Sequence, residues 1–463
     1  MNDARREEHP RDDISEVCVR LSYTYFLLLA LAAAGTMGAQ QPRRITFNDA
    51  IAIALEQNLG VKRAKNATAL TAATMQQQKM QLLPDLRLNV NGADNVGRNF
   101  SQTGAIIDQQ TQSMNTSLSS SMTLFDGMKT LSTIRAARAT DVASASDLAR
   151  AKQTAVFTVA SNYVALANAQ EQLRVQQENL KALQSEQDQI QKFVDAGVRP
   201  IADLYQAEAS VASARAAVVQ ANRTVEMAKV DLVQTLQLDP TGDYDFVTPT
   251  VNAATAMRSV DLDSLIARAY AQRPDLQAES KRVEAAGQDV NAARAGRLPS
   301  LSLIGNYNTA YNSATNLGLR DQLDQQRGGV VAIGVSIPIF DRGAVSLVEQ
   351  KAQIERDNAR LSLQAQRQQV AVDVRRAYLD AQSAEQQLAA ASAQLSAAQK
   401  AVDATQVRYE VGAATLVELT AARAQAVQAA SAVATAKYNL VLQQTVMDYY
   451  TGALDPQHVS LGS

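Results

Sequence analysis

Two stretches decide the fold: AGVRPIADLYQAEA at residues 196–209 and YEVGAATLVELTAARA at residues 409–424. In each, a glycine (Gly197, Gly412) is followed six residues later by an acid (Asp203, Glu418) and then by a leucine (Leu204, Leu419). The two glycines lie 215 residues apart. The same offset carries Ile45 and Phe47 onto Val260 and Leu262, Pro84 onto Pro299, Phe125-Asp126 onto Phe340-Asp341, and Tyr163 onto Tyr378. A constant offset over that many anchors marks two tandem copies of one unit. The reading is a first unit at 40–239, a turn-rich linker at 240–259, a second unit at 260–456 and a tail at 457–463.

Each unit reads as short helix, helix, strand, loop, strand, very long helix, tight turn, long helix. From Lys129 to Asp195, and again from Ala344 to Val411, there is no Pro or Gly. An unbroken helix of that length reaches roughly 100 Å. After each turn a seven-residue period follows, through Leu204, Val211, Val218, Val225 and Leu232, and through Leu419, Ala426, Val433, Leu440 and Met447. That period keeps one stripe against neighbouring helices. The stripe is narrow and set in Ala and Gln, which suits a wall of closely packed helices with water on both sides.

Strands are expected at about 84–96, 113–125, 299–310 and 329–340, from alternation of the kind seen in Leu86, Leu88 and Val90 against Arg87, Asn89 and Asn91. Polar loops near 95–112 and 309–328 join them in pairs. Val331, Ile333, Val335, Ile337 and Ile339 form the apolar face of the last strand. Four strands are too few for a membrane barrel, the smallest of which has eight. Three chains supply twelve. A water-soluble sheet capped by coiled coil is the alternative, and the outward aliphatic faces argue against it.

Residues 21–34 (LSYTYFLLLALAAA) form an apolar run of signal-peptide length, followed by small residues near Gly38 and Ala39. Residues 1–39 are therefore read as an export signal, although their six acids against four arginines are unusual and point to a start assigned too early. The remaining chain has no Cys and a single imidazole, His458. That excludes Cys/His metal sites and Cys-His or Ser-His nucleophiles. A net charge of −2 gives no basic face for nucleic acid. No enzyme, cofactor or metal centre is expected.

With these residues in view, the chain resembles the TolC-like outer membrane efflux proteins over residues 45–456. The resemblance rests on the duplicated plan, Pro84 and Pro299 before strands, LFDG and IFDRG where strands return to helices, and the two turns quoted above. It implies a mainly α fold with a small β part: tandem-duplicated helical hairpins forming an α-barrel, and four strands per chain contributing to a trimeric 12-stranded β-barrel. It implies a homotrimer in outer-membrane lipid with the helices in the periplasm. A periplasmic adaptor and an inner-membrane transporter are the implied partners, in tripartite efflux or type I secretion. A secreted coiled-coil structural protein or a soluble periplasmic adaptor are the competing readings. A filament would not need the four strands, and an adaptor would normally have one hairpin.

The turns carry the candidate sites. Gly197 and Gly412 sit where a helix end requires left-handed backbone. Pro200 is expected in the first turn of the next helix, and Thr415 with Glu418 spells a capping box. Asp203 and Glu418 complement the helix dipole as first-turn acids. The resemblance adds a channel constriction at Glu418, Asp203 and Tyr409, and an adaptor contact at the tips Gly197, Val198, Gly412 and Ala413. Ala414 stands where the family's linking Arg can occur, and Ala421 where a second acid can occur. Arg408 and Arg199 are both candidates for the missing cation.

Overall fold

The computed structural model describes residues 43–100, 104, 106–248 and 261–455. The export signal, residues 249–259 of the linker and the tail with His458 lie outside them. Nine helices are described: α1 (Phe47–Gln57), α2 (Leu59–Met80), α3 (Lys129–Asp195), α4 (Ile201–Leu236), α5 (Leu262–Gln272), α6 (Pro274–Arg294), α7 (Leu319–Gln325), α8 (Ala344–Glu410) and α9 (Leu416–Thr451). The strands are β1 (Arg43–Thr46), β2 (Arg87–Phe100), β3 (Ile106–Phe125), β4 (Tyr244–Val247), β5 (Ser300–Asn312) and β6 (Gly328–Ser336). Both bounds of α3 and of α4 recur in α8 and α9 at the 215-residue offset. The same holds for α1 and α5.

Each long helix begins at a matched acid. Asp126 accepts from the Thr130 amide at 2.9 Å, and Asp341 from the Val345 amide at 2.7 Å. These carboxylates satisfy donors that the first helical turn leaves bare. Toward the strands, α2 packs on α3, α3 on α6 and α6 on α8. Toward the hairpin turns the neighbours change, and α4 packs on α3, α3 on α9 and α9 on α8. At every level the chain is a sheet of four helices with two free flanks. Leu204, Val211, Val225 and Leu232 are buried along α4, as are Leu419, Leu440 and Met447 along α9.

Strands β2, β3, β5 and β6 form one antiparallel sheet in that order. Its register sorts the side chains cleanly. Leu88 faces Leu118, which faces Tyr307; Met122 faces Leu303, which faces Ile333; Leu301 faces Val335. The opposite face carries Asn89, Ser117 and Asn308 in one row and Ser119 and Asn306 in another. One face is thus largely aliphatic and the other largely Ser and Asn, with Thr116, Ser120 and Thr309 as exceptions on the first and Ile304 and Val330 on the second. The outer strands β2 and β6 each keep one unpaired main-chain edge within the chain.

The structure corrects several sequence expectations. The first polar loop shrinks from 95–112 to the few residues between Phe100 and Ile106, because the hairpin ladder continues through Asn95, Gln110 and Gln112 despite their polarity. The last strand stops at Ser336 and not near 340. Pro338 has no amide to donate, and Ile337, Ile339 and Phe340 leave the sheet exposed. The loop near 309–328 contains α7, whose Gln322 is fully buried and bonds the Leu317 carbonyl and the Asn312 amide. Part of the linker is not loop at all. Tyr244–Val247 is β4, paired in parallel with β1, because Phe246 completes a core with Ile45, Phe47 and Tyr163.

A charged cluster ties the repeats together near this core. Arg273, 3% exposed, grips Asp275 through Nε to Oδ1 at 3.0 Å and Nη2 to Oδ2 at 2.6 Å. Arg150 of α3 donates to the Tyr449 carbonyl at 3.0 Å and stacks on that ring. Two guanidinium groups thus meet the C-terminal end of α9, where cations complement the helix dipole. Burial alone would raise the Asp275 pKa, but hydrogen bonds and charge from Arg273 outweigh it and hold the carboxyl below its ordinary value. A depressed pKa stabilises above the unfolded value and loses that stabilisation as pH falls through the folded one. Asp275→Ala leaves Arg273 only its longer contact with Asp373 at 3.8 Å, and should lower stability by about 3 kcal/mol at neutral pH. Thermal unfolding in detergent should show the gap to wild type narrowing only below about pH 4.

Candidate functional site

The two helical turns sit side by side. Helices α3 and α8 end in the same hydrogen-bond pattern: the Val198 amide donates to the Phe193 carbonyl at 2.8 Å, and the Ala413 amide to the Arg408 carbonyl at 2.7 Å. That six-to-one bond requires a left-handed residue, supplied by Gly197 (φ 73°) and Gly412 (φ 77°). The tips Gly197, Val198, Gly412 and Ala413 are all exposed. Behind them Ile190, Leu204, Ala207, Tyr409, Leu416 and Leu419 form a small shared core.

Two capping expectations change in detail. Pro200 is the residue before α4, with extended backbone, and not a first-turn residue. Thr415 caps α9 by accepting from the Glu418 amide at 3.2 Å, but the return half of the box is missing. The Glu418 carboxylate lies 3.8 Å from Arg408 instead, and both are exposed. Arg408 also donates to the Ala413 carbonyl across its own turn.

Tyr409 and Asp203, which come from different repeats, are brought together by Arg199. Its guanidinium lies over the Tyr409 ring at 4.3 Å, donates to the Tyr409 carbonyl at 3.0 Å and stands 3.9 Å from Asp203. Of the two candidate cations, Arg199 therefore reaches the Tyr and Asp pair, while Arg408 serves Glu418. Tyr409 is 6% exposed and its hydroxyl has no partner among the described residues. Burial pushes its pKa up. Tyr409 also lines a cleft of about 200 Å3 together with Glu186, Arg199, Gln406 and Arg423 among others.

Sequence reading missed Glu186, Gln406 and Arg423. Arg423 of α9 pairs with Glu186 of α3 and donates to Gln406 Oε1 of α8 at 2.7 Å, so one side chain joins three helices. The signal was available as a break in the repeat: Glu186 matches Ala401, and Arg423 matches Glu208. Such an asymmetric pair can tie repeat to repeat only where both partners are present. Among the described residues no group of His, Cys, Asp and Glu is gathered as a metal site, and no helix is long and apolar enough to cross a membrane.

The family model for the outer membrane efflux protein matches this chain twice, at residues 50–236 and 265–453. The chain belongs to that family. It is 25% identical over 340 residues to the outer membrane efflux protein BepC of Brucella suis, covering 73% of this chain and 72% of the relative. It is 23% identical over 316 residues to the outer membrane protein TolC of Vibrio cholerae, covering 68% and 71%. The crystal structure of the Campylobacter jejuni CmeC outer membrane channel superposes with a TM-score of 0.75 at 20% identity, covering 90% of this chain and 87% of that one. The chain is thus an outer-membrane efflux protein, mainly α with a small β part, and not an enzyme.

Burial raises the Glu186 carboxyl pKa, and Arg423 offsets only part of the rise. A carboxyl whose pKa is higher folded than unfolded adds stability at low pH and loses it as pH rises through that window. Arg423→Ala leaves the carboxylate buried and alone, and should cost about 3 kcal/mol at neutral pH. The deficit should shrink toward pH 4 to 5, roughly the ordinary carboxyl range. Glu186→Gln, which keeps a hydrogen-bonding group, should be close to neutral and should flatten the pH dependence of thermal unfolding.

Proposed function

We propose that three copies of this chain close into one passive duct, with a 12-stranded barrel in outer-membrane lipid and a 12-helix wall in the periplasm. The observation that supports it is the four-stranded sheet, aliphatic on one face and Ser/Asn-lined on the other, with both edges open. In lipid such edges are tolerated only when a closed barrel pairs them. The tips then point away from the membrane. In this reading the exposed turns at Gly197, Val198, Gly412 and Ala413 seat a periplasmic adaptor. An inner-membrane transporter supplies energy and selectivity, in tripartite efflux or type I secretion.

The same reading makes the turn region the constriction. Tyr409 and Asp203, linked through Arg199, hold the second hairpin against the first. Glu418 projects on the other side, where three copies converge on the axis. A ring of like charges in a narrow mouth favours cations.

Two measurements test this. Near the bilayer midplane, arginine at Ile333 or Val335 should disturb insertion by roughly 2 to 4 kcal/mol, whereas Ser336→Arg on the polar face should be far better tolerated. Equal tolerance in membrane fractionation would mean the aliphatic face does not meet lipid. In planar-bilayer recordings Glu418→Gln should weaken cation preference and block by multivalent cations with little change in trimer stability. Arg199→Ala should raise conductance by releasing Tyr409 from Asp203. Unchanged selectivity with earlier melting would make the Glu418 carboxylate a structural partner of Arg408 and the helix dipole only.

A further inference from the structure

The aliphatic side of the sheet runs on into one helix, and there it turns from apolar to cationic. Phe125, the last residue of β3, stands opposite Leu301 in the aliphatic row that ends on Val335, and it is exposed. Beyond the turn, Met128, Leu131, Arg135, Arg138 and Val142 recur at three- and four-residue spacing, and all are exposed. They form one stripe along the start of α3. Ser132, Ala136, Ala139 and Ala143 are buried, and α2 and α6 occupy the two flanks of α3 at this level. The stripe therefore looks out from the wall and not toward a neighbouring helix.

Nothing within the chain accounts for the cations. Among the described residues neither Arg135 nor Arg138 has an ion pair or a side-chain hydrogen bond, and Lys129 has none either. Lys129 opens α3, the end at which the helix dipole disfavours a cation. The acids at this level are engaged elsewhere. Asp85 holds Ser121 and Arg87, Asp126 holds Thr130, Asp141 holds Thr71, Asp341 caps α8, and Glu349 holds Arg294 and Arg297. Asp289 of α6 and Glu355 of α8 lie close enough to repel one another. The matched positions in the second repeat are Gln350 and Gln353, so the wall does not need charge there.

We propose that the stripe from Met128 to Arg138 is a docking surface for anionic phospholipid head groups in the leaflet that faces the periplasm. The step rests on the reading above, in which the aliphatic face of the sheet meets lipid. From the sheet outward the stripe has the order of half a bilayer, with Phe125, Met128 and Leu131 at the hydrocarbon and Arg135 and Arg138 beyond it. Leu131 and Arg135 are about 6 Å apart along the axis. A head-group layer is roughly 6 Å deep. Side chains on a helix lean toward its N-terminus, and α3 starts at the sheet, so both arginines lean back toward the phosphates. Their apolar stems lie along the edge of the hydrocarbon while the charged ends reach the phosphate oxygens.

The chain has no tryptophan, so Leu131→Trp places a single one on the stripe of the full chain. The vesicles are phosphatidylcholine with a minor share of phosphatidylglycerol brominated on its acyl chains. Quenching should match an enrichment of the brominated lipid of roughly fivefold, the preference of one cation near an anionic surface. Adding Arg135→Gln with Arg138→Gln should return it to the mixed fraction, and Arg135→Lys with Arg138→Lys should keep it. Lys181→Gln with Lys192→Gln, exposed cations of α3 toward the hairpin turn, should change nothing. Quenching at the mixed fraction overturns the proposal, as does enrichment that ignores Arg135 and Arg138 or falls equally with Lys181 and Lys192. So does a Leu131→Trp that stays bright while Ile333→Trp is quenched, since the stripe then faces the lumen or another protein. If neither is quenched, the aliphatic face does not meet lipid and the underlying reading fails instead. Should Leu131→Trp not insert, Met128→Trp takes its place.

Discussion

A peptide group in hydrocarbon has nowhere to turn for a hydrogen bond except to another peptide group, and an unpaired one costs several kcal/mol. In this chain that requirement falls on the outer edges of β2 and β6. Nothing within the four strands can meet it. The same shortfall recurs below the sheet, where every level of the wall has four helices and two free flanks. Neither part is complete as a single chain, and both are incomplete in the same sense. In the trimer proposed above, a neighbouring copy meets both needs.

That shared requirement explains the composition. A helix wall between two aqueous spaces has no thick interior to fill, so small Ala and Ser and flexible Gln replace large aliphatics over most of α3 and α8. The larger apolar groups gather at four places: the junction around Tyr163 and Phe246, the cluster of Leu265, Leu276, Val370, Val374 and Met447, the shared core at the tips, and the outer face of the sheet. Charge is also placed with purpose. Arg273 with Asp275 is buried where the two repeats change neighbours, and Arg423 with Glu186 where they end. Arg423 with Glu186 joins residues from different repeats, and neither pair has a counterpart at its matched position.

The duplicated order, the long helices, the turns and the four strands were legible in the sequence, because period and offset are properties of the chain. Side-chain partners were less so. Tyr409 and Asp203 were legible as candidates from their place beside the turns, but their union through Arg199 depends on how two hairpins from different repeats coil together. Glu186 reads in isolation as one more acid on a polar helix. Only the Ala at its matched position hints that it is special. The β1–β4 pair escaped notice because four residues in a turn-rich linker carry too short an alternation to stand out. The end of β6 was misplaced because Ile337 and Ile339 continue the period past a proline that cannot continue the ladder.

Equal length in the two long helices has a consequence for how such a chain can change. Removing one residue from the middle of α3 would draw everything beyond it back by 1.5 Å and rotate it by about 100°. The first tip would then no longer meet the second, and Arg199 would lose Tyr409. A deletion is tolerable only with a compensating one in α8, and a full heptad is the smallest change that restores the packing stripe. Substitutions face no such coupling over most of the wall, where one small polar residue serves nearly as well as another. Lineages built on this plan are therefore free to drift in identity while helix length is held, and insertions should collect in the loops beyond the sheet.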